Sequence, residues 1–182
     1  MATESTLIPL GTQAPDFALA DVTTGATVRR DDVSAGRALL VVFLCRHCPY
    51  VQHVKDELAR LGRDYGERVG LVGISSNDAS TYPDDAPASL AEFARESGFT
   101  FPVVYDESQD VARAYGAVCT PDSFLFDNHQ RLVYHGRLDE TRPRSGAAAT
   151  GSDIRHALDA VLGGEPVTAD QHPALGCSIK WR

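Results

Sequence analysis

Short apolar runs separated by amphipathic stretches dominate the hydrophobic pattern of this chain. The longest run, Ala38 to Cys45, has eight residues, which suits a strand buried on both faces and is far shorter than the roughly 20 residues of a membrane-spanning helix. A second buried strand is predicted at Val69 to Ser75. Between the two runs, four apolar residues recur at helical spacing: Val51, Val54, Leu58 and Leu61. A strand, a helix and a strand in this order predict a parallel pair with a right-handed connection.

Strands and helices continue to alternate in the second half of the chain. The segment Ser89-Leu90-Ala91-Glu92 predicts a capping box at the start of a helix that ends at Gly98. Further predicted elements are a strand at Phe101–Tyr105, a helix at Gln109–Tyr115, a hairpin of Ser123–Phe126 and Leu132–His135, and a helix at Ser152–Leu162. This alternation predicts an α/β fold in which helices cover a central sheet.

The two ends of the chain are less regular. Near the start, Phe17–Val22 and Ala26–Arg29 flank a Thr-Thr-Gly turn and predict a short hairpin. The sequence after Gly163-Gly164 predicts an irregular tail. We therefore expect one domain at residues 1–164 and a C-terminal tail, packed on it, at residues 165–182.

Composition narrows the class of protein. The chain has 182 residues, of which 43% are hydrophobic, and this is enough for one domain with its own core. Its net charge of −8 disfavours nucleic acids and anionic membranes as partners. Residues Met1 to Leu10 lack the features of a secretory signal, which predicts a cytoplasmic location. No glycine-rich phosphate-binding loop is present, so nucleotide binding is not predicted. The expected chemistry requires no bound cofactor.

The strongest chemical signal is Cys45-Arg46-His47-Cys48, between a predicted buried strand and a predicted helix. A cysteine at a helix start is stabilised as a thiolate by free backbone donors and by the positive end of the helix dipole. Arg46 and His47 add positive charge beside the sulfur. The sequence therefore predicts a lowered pKa for Cys45. Since a stable thiolate raises the reduction potential, it also favours an oxidising or isomerising protein.

Other interpretations of the cysteines remain open. The pair Cys45 and Cys48 would be half of a structural metal site, or two inert thiols, but the sequence holds no second ligand pair, so no metal is predicted. Cys119 is either a small buried apolar residue or an additional redox thiol. Cys177 lies in the tail beside Trp181, and is either part of a packing anchor or a resolving thiol.

Four segments of the sequence resemble one known family. They are Gly11–Asp21 (GTQAPDFALAD), the strand–CxxC–helix unit, Val118–Pro121 (VCTP) and Gly176–Trp181 (GCSIKW). Together they resemble the thioredoxin-like superfamily and, within it, the redoxin branch of alkyl hydroperoxide reductase and thiol-specific antioxidant type, in a peroxiredoxin-like subgroup with a CxxC motif. The resemblance implies a thioredoxin fold: a central mixed sheet flanked by helices, with an N-terminal β extension and a C-terminal tail.

The same resemblance implies roles for individual residues. Pro121 matches the cis-proline of the superfamily, and Thr120 before it would bind substrate through its backbone. The implied activity is thiol–disulfide exchange with protein or small-molecule disulfides, maintained by a reducing thiol system. Cys45 would attack, and Cys48 would resolve the mixed disulfide.

Two other functions are compatible with the sequence. In peroxiredoxins, a proline, a threonine and an arginine surround the reactive cysteine. If that cysteine is aligned with Cys48, those positions hold Val41, Cys45 and Pro121. A thiol-dependent peroxidase is thus the alternative within enzymes. A noncatalytic metal-binding protein on the same fold is the second alternative.

Overall fold

The computed structural model describes residues 2–182 and contains a mixed α/β fold. The strands, in chain order, are β1 (Ala2–Glu4), β2 (Ala18–Asp21), β3 (Thr27–Arg29), β4 (Leu39–Phe43), β5 (Gly70–Ser75), β6 (Val103–Tyr105), β7 (Cys119–Thr120), β8 (Asp122–Phe126), β9 (Leu132–Gly136) and β10 (Leu175–Ser178). The helices are α1 (Arg30–Ser34), α2 (Pro49–Tyr65), α3 (Pro87–Ser97), α4 (Asp110–Tyr115) and α5 (Ser152–Leu162). A 3₁₀ turn spans Pro83–Asp85.

Seven strands form the central sheet, in the order β3-β2-β6-β5-β4-β8-β9. Strand β5 pairs in parallel with β4 and with β6, and the other neighbours pair antiparallel. The parallel pair predicted around α2 is confirmed, as are the hairpins β2–β3 and β8–β9. A mixed sheet of this kind confirms the predicted fold class.

Strand β4 is central because both of its faces are covered. Leu40 and Val42 point into a core shared with α2, whereas Leu39, Val41 and Phe43 point into a second core on the opposite face. Each buried side chain of this size contributes roughly 1.5–3 kcal/mol to folding. The apolar stripe of α2 packs on the first core, as its spacing predicts. The segment that joins β4 to α2 is therefore held at both of its ends.

Two predictions about local structure are wrong. Helix α3 begins at Pro87, and its N-cap Ala86 makes no side-chain cap, so the capping box of Ser89 and Glu92 does not form. Pro87 occupies the first helical position, and its fixed φ angle favours a helix start there, two residues before Ser89. The tail is not irregular throughout, since residues 175–178 form β10 in a second sheet of order β1-β10-β7.

Among residues 2–182, no helix combines the length and the apolar character that crossing a membrane requires.

Candidate active site

The CxxC segment lies where β4 leads into α2. Helix α2 begins at Pro49, which makes Cys48 its N-cap residue, with extended backbone angles of φ −74° and ψ 123°. The sequence predicts Cys45 at the start of this helix. In the structure, Cys45 lies four residues before the first helical residue. The free backbone donors of the helix start face Cys48, because they follow the N-cap.

Both thiols of the motif meet the loop that contains Thr120. Cys45 Sγ lies 3.1 Å from the Thr120 hydroxyl oxygen, and Cys48 Sγ lies 3.3 Å from the Thr120 carbonyl oxygen. The Thr120–Pro121 peptide bond is cis, as the resemblance implied. Both cysteines are free thiols and fully buried. The predicted motif and the predicted proline loop thus form one site.

The structure assigns the acidic thiol to Cys48. A hydrogen bond from the Cys45 thiol is the largest of the causes that lower the pKa of Cys48 from 9.0 to about 5. Burial opposes this shift, and the nearby Cys177 thiol and the N–H groups of Val51 and Cys177 reinforce it. An anionic sulfur at a helix N-cap with several donors is a stable thiolate.

Cys45 shifts in the opposite direction, so the prediction that its pKa is lowered is wrong. Its pKa is raised because its proton is shared with Cys48, because it is buried, and because the Asp85 carboxylate lies nearby. A hydrogen bond with Thr120 acts weakly the other way. The two thiols therefore titrate as a pair, and the direction of both shifts favours the negative charge on Cys48.

Arg46, which the sequence predicts as a residue that tunes the sulfurs, binds α3. Its Nη1 donates to the Ser89 carbonyl oxygen at 2.9 Å and to the Ser89 hydroxyl at 2.8 Å. Glu92 and Glu96 neutralise its charge, at 3.1 Å and 3.5 Å. The residues expected to cap α3, Ser89 and Glu92, instead bind the side chain of Arg46.

Asp85 is the most informative site residue that the sequence analysis missed. It is fully buried and accepts hydrogen bonds from Arg46 N at 2.7 Å, from Asn77 Nδ2 at 2.7 Å and from the backbone of His47 at 3.4 Å. Its second contact with His47 joins Oδ2 to Nδ1 at 2.5 Å. His47 is thus bound to a carboxylate, and the sulfur next to this pair is that of Cys45.

Within the described part of the chain, one group of side chains could hold a metal ion. It consists of Cys45, His47 and Asp85, whose ligand atoms all lie within 4.8 Å of one another. Sulfur, nitrogen and oxygen in this number suit zinc. In the structure, however, the carboxylate of Asp85 is already hydrogen-bonded to Asn77 and His47, and the Cys45 sulfur to Thr120. Asp85 and His47 thus form a hydrogen-bonded pair beside the Cys45 thiol.

The remaining two cysteines differ from each other. Cys119 is fully buried, and burial raises its pKa, with the Asp122 charge as a second cause. Cys177 is partly exposed and lies on β10, where it contacts Cys48. The backbone of Thr120 faces this same strand, with Cys177 as its partner in the register. The edge expected to bind substrate is therefore occupied by the tail of the chain.

Comparison with known proteins assigns the family. The model of the AhpC/TSA family matches residues 10–135, which is more than half of the chain. The chain belongs to the AhpC/TSA family. This segment contains the CxxC motif and the Thr120–Pro121 loop, so the family match covers the site apart from the tail.

Individual members and structures give further likenesses. A thiol-disulfide oxidoreductase ResA from Geobacillus thermodenitrificans is 28% identical over 133 residues, which cover 71% of this chain and 70% of the relative. The crystal structure of an uncharacterized conserved protein from Geobacillus kaustophilus is 50% identical, has a TM-score of 0.97, and covers 100% of this chain and 97% of that one. A secreted disulfide oxidoreductase from Mycobacterium tuberculosis is 14% identical with a TM-score of 0.61, covers 79% of this chain and 95% of that one, and shares the fold.

The assignment of the thiolate to Cys48 predicts a specific pH dependence in this AhpC/TSA protein. Thiolate absorbance and alkylation of Cys48 should persist at neutral pH and fall with a midpoint at about 5. Because the folded-state pKa is below the unfolded value of 9.0, this group stabilises the reduced protein fully above pH 9, and the contribution is lost as the pH falls towards 5. Cys48→Ser should lack the titration. An ordinary thiol value for Cys48 would contradict the assignment.

Proposed function

We propose that this protein is a thiol–disulfide oxidoreductase in which Cys48 is the nucleophile and Cys45 the resolving thiol. The observation that carries the proposal is the position of Cys48 at the N-cap of α2, beside the free N–H groups of the helix start, and the pKa of Cys48 is lowered in the sense that this position implies. Thiolates, and not thiols, attack disulfides. The order of the two cysteines is the reverse of the order expected from the sequence.

The cycle consists of two exchanges. In the first, the Cys48 thiolate attacks one sulfur of a substrate disulfide, forms a mixed disulfide and releases the other sulfur as a thiolate. In the second, Cys45 loses its proton and attacks the Cys48 sulfur, which forms the Cys45–Cys48 disulfide and releases the second substrate thiol. The substrate gains two electrons and the protein loses two. The reverse sequence oxidises a substrate dithiol.

Asp85 and His47 are the candidates to take the proton of Cys45 in the second exchange. Their ligand atoms and the Cys45 sulfur all lie within 4.8 Å of one another, so one bridging water or a small movement of the thiol would bring a base into reach. Their role therefore belongs to resolution and not to the first attack.

The stable Cys48 thiolate favours the oxidising direction. Since it stabilises the reduced form of the protein, it raises the reduction potential of the cysteine pair. Substrates are protein or small-molecule thiols and disulfides, and a thiol redox system would restore the starting state. A cytoplasmic location and an antioxidant role remain predictions.

Catalysed oxidation of a two-cysteine peptide by oxidised glutathione tests the function. We expect the wild-type protein to accelerate disulfide formation in the peptide, and the double variant Cys45→Ser with Cys48→Ser to give only the background rate. The metal content of the same sample is recorded. Equal rates for both proteins, or unreactive thiols that hold stoichiometric zinc, would contradict the proposal and favour the metal-binding alternative.

A thiol peroxidase is the second candidate, and the lowered pKa of Cys48 favours it. Cys48 is the residue that aligns with the reactive cysteine of peroxiredoxins, although Val41, Cys45 and Pro121 replace the groups that polarise the peroxide bond. Turnover of hydrogen peroxide with a regenerating dithiol separates the candidates. We expect slow turnover compared with disulfide exchange, and a peroxide rate that exceeds the exchange rate would reverse the order.

A further inference from the structure

We propose that Cys177 is a third redox-active thiol, which forms a disulfide with Cys48 from a strand of this chain that occupies the edge expected to bind substrate. The proposal rests on the proposed function, because Cys48 must first react with a disulfide. It gives the C-terminal tail a chemical role in addition to packing.

The tail lies in the position of a bound peptide. Strand β10 pairs antiparallel with β7, with Cys177 opposite Thr120 and Ser178 opposite Cys119. A Cβ atom on Gly176 would collide with the Thr120 carbonyl oxygen, so glycine permits this close approach. Because Thr120 contacts both sulfurs of the motif, a strand paired with it is held beside the reactive cysteines.

Several contacts beyond Cys177 hold the tail in this register. Ile179 is buried, and its N–H donates to the Val118 carbonyl oxygen at 2.9 Å. The N–H of Lys180 donates to Asn77 Oδ1 at 2.8 Å, and the amide of the same Asn77 donates to Asp85. One side chain therefore contacts both the tail and the proposed base of Cys45. The tail is part of the site and not a loose extension.

The Cys177 side chain packs against the apolar cluster that contains Cys48. Both residues also contact Thr120, Cys177 through strand pairing and Cys48 Sγ at 3.3 Å from the Thr120 carbonyl oxygen. Cys48 and Cys45 are fully buried beneath this contact, whereas Cys177 is partly exposed. An external disulfide thus reaches Cys48 when β10 moves aside, and Cys177 returns next to the product of that reaction.

The step itself is an ordinary exchange. When Cys48 carries a mixed disulfide with a small thiol, the Cys177 sulfur attacks the Cys48 sulfur, and the bond to the small thiol breaks. The Cys48–Cys177 disulfide forms, and the departing thiolate takes the proton that Cys177 has lost. No further oxidant is needed, because the two electrons were removed when the mixed disulfide formed.

Formation of the mixed disulfide also favours ionisation of Cys177. In the reduced protein, its pKa is raised to about 12 by burial, by its hydrogen bond to Cys48 and by the negative charge there. The mixed disulfide removes that negative charge. The positive charge of Lys180, which lowers the pKa of Cys177, remains in place because Lys180 Nζ donates to the hydroxyl of the adjacent Ser178. Cys177 is therefore a better nucleophile after the first exchange than before it.

Oxidised glutathione and the Cys45→Ser variant test the proposal. Serine retains a donor to Cys48 but removes the usual resolving sulfur. We expect Cys45→Ser to end without glutathione and with a Cys48–Cys177 disulfide, found by peptide mapping. The matched double variant Cys45→Ser with Cys177→Ser should retain close to one glutathione per chain, on Cys48. Cys45→Ser with Cys119→Ser should behave as the single variant does.

The outcomes separate the two proposals. If Cys45→Ser retains glutathione on Cys48 while Cys177 stays a free thiol, the role of Cys177 is wrong and the proposed function stands. If Cys48 takes up no glutathione in the variant that also lacks Cys177, the nucleophile itself is wrong, and both proposals fail. Circular dichroism of each variant establishes that the fold is retained.

Discussion

Replacement of Cys48 by serine should lower the rate of disulfide exchange by at least about a thousandfold, because loss of an activated nucleophile removes the covalent step. Cys45→Ser should behave differently. It retains the first exchange and releases one equivalent of substrate thiol, but it stops at the mixed disulfide unless another thiol of the protein resolves it. Single-turnover kinetics with a chromogenic disulfide measure the released thiol in both variants.

Cys119→Ser is the matched control for this pair of variants. Cys119 is as deeply buried as the reactive cysteines and lies next to Thr120, but burial raises the pKa of its thiol. Its replacement should leave the rate of the first exchange within about a factor of two of wild type, because the Cys119 sulfur takes no part in that exchange and serine differs from cysteine by one atom. A full burst from Cys48→Ser combined with none from Cys45→Ser would show that the nucleophile is Cys45.

Replacement of Asp85 should give the second large effect. Asp85→Ala leaves the Arg46 N–H and the Asn77 amide, both bonded to it, without an acceptor, which should destabilise the protein by about 2–4 kcal/mol. Asp85→Asn keeps the shape and one acceptor oxygen but loses the charge. We therefore expect a smaller loss of stability and a slower second exchange, by about 10²-fold, because a general base contributes on this order.

Urea denaturation and rapid acid quench distinguish these two consequences. Denaturation gives the free energy of unfolding, and the quench gives the lifetime of the Cys48 mixed disulfide. In Asp85→Asn the first exchange should be preserved, and resolution should recover as the pH is raised, because hydroxide then removes the Cys45 proton. Equal slowing of both exchanges at every pH would mean that Asp85 acts on structure alone.

The sequence predicts most of the central sheet because its elements carry local signals. The continuous apolar strand β4 and the apolar stripe of α2 need no knowledge of distant residues. Strand β10 gives no such signal, since Leu175–Ser178 contains only one large apolar side chain. It forms because β1 and β7 supply partners from the other regions of the chain. A pattern of neighbouring residues carries no information about pairing with strands so distant in the sequence.

The site was predicted less completely than the fold. The cysteines and the Thr120–Pro121 loop are visible in the sequence, but the identity of the thiolate depends on where α2 begins. Pro49 carries that signal, because proline favours the first helical position and so places Cys48 at the N-cap. Asp85 carries none, since its loop contains several acids and burial alone singles it out.

Redox titration of the wild-type protein in glutathione buffers, followed by peptide mapping at each point, tests the central claim most directly. We expect a reversible two-electron oxidation that places Cys48 in one disulfide per chain, with Cys45 as its partner in some molecules and Cys177 in the others. The midpoint should lie above the potential of about −270 mV that is typical of thioredoxin. Recovery of Cys48 as a free thiol after two electrons have been removed would contradict the account.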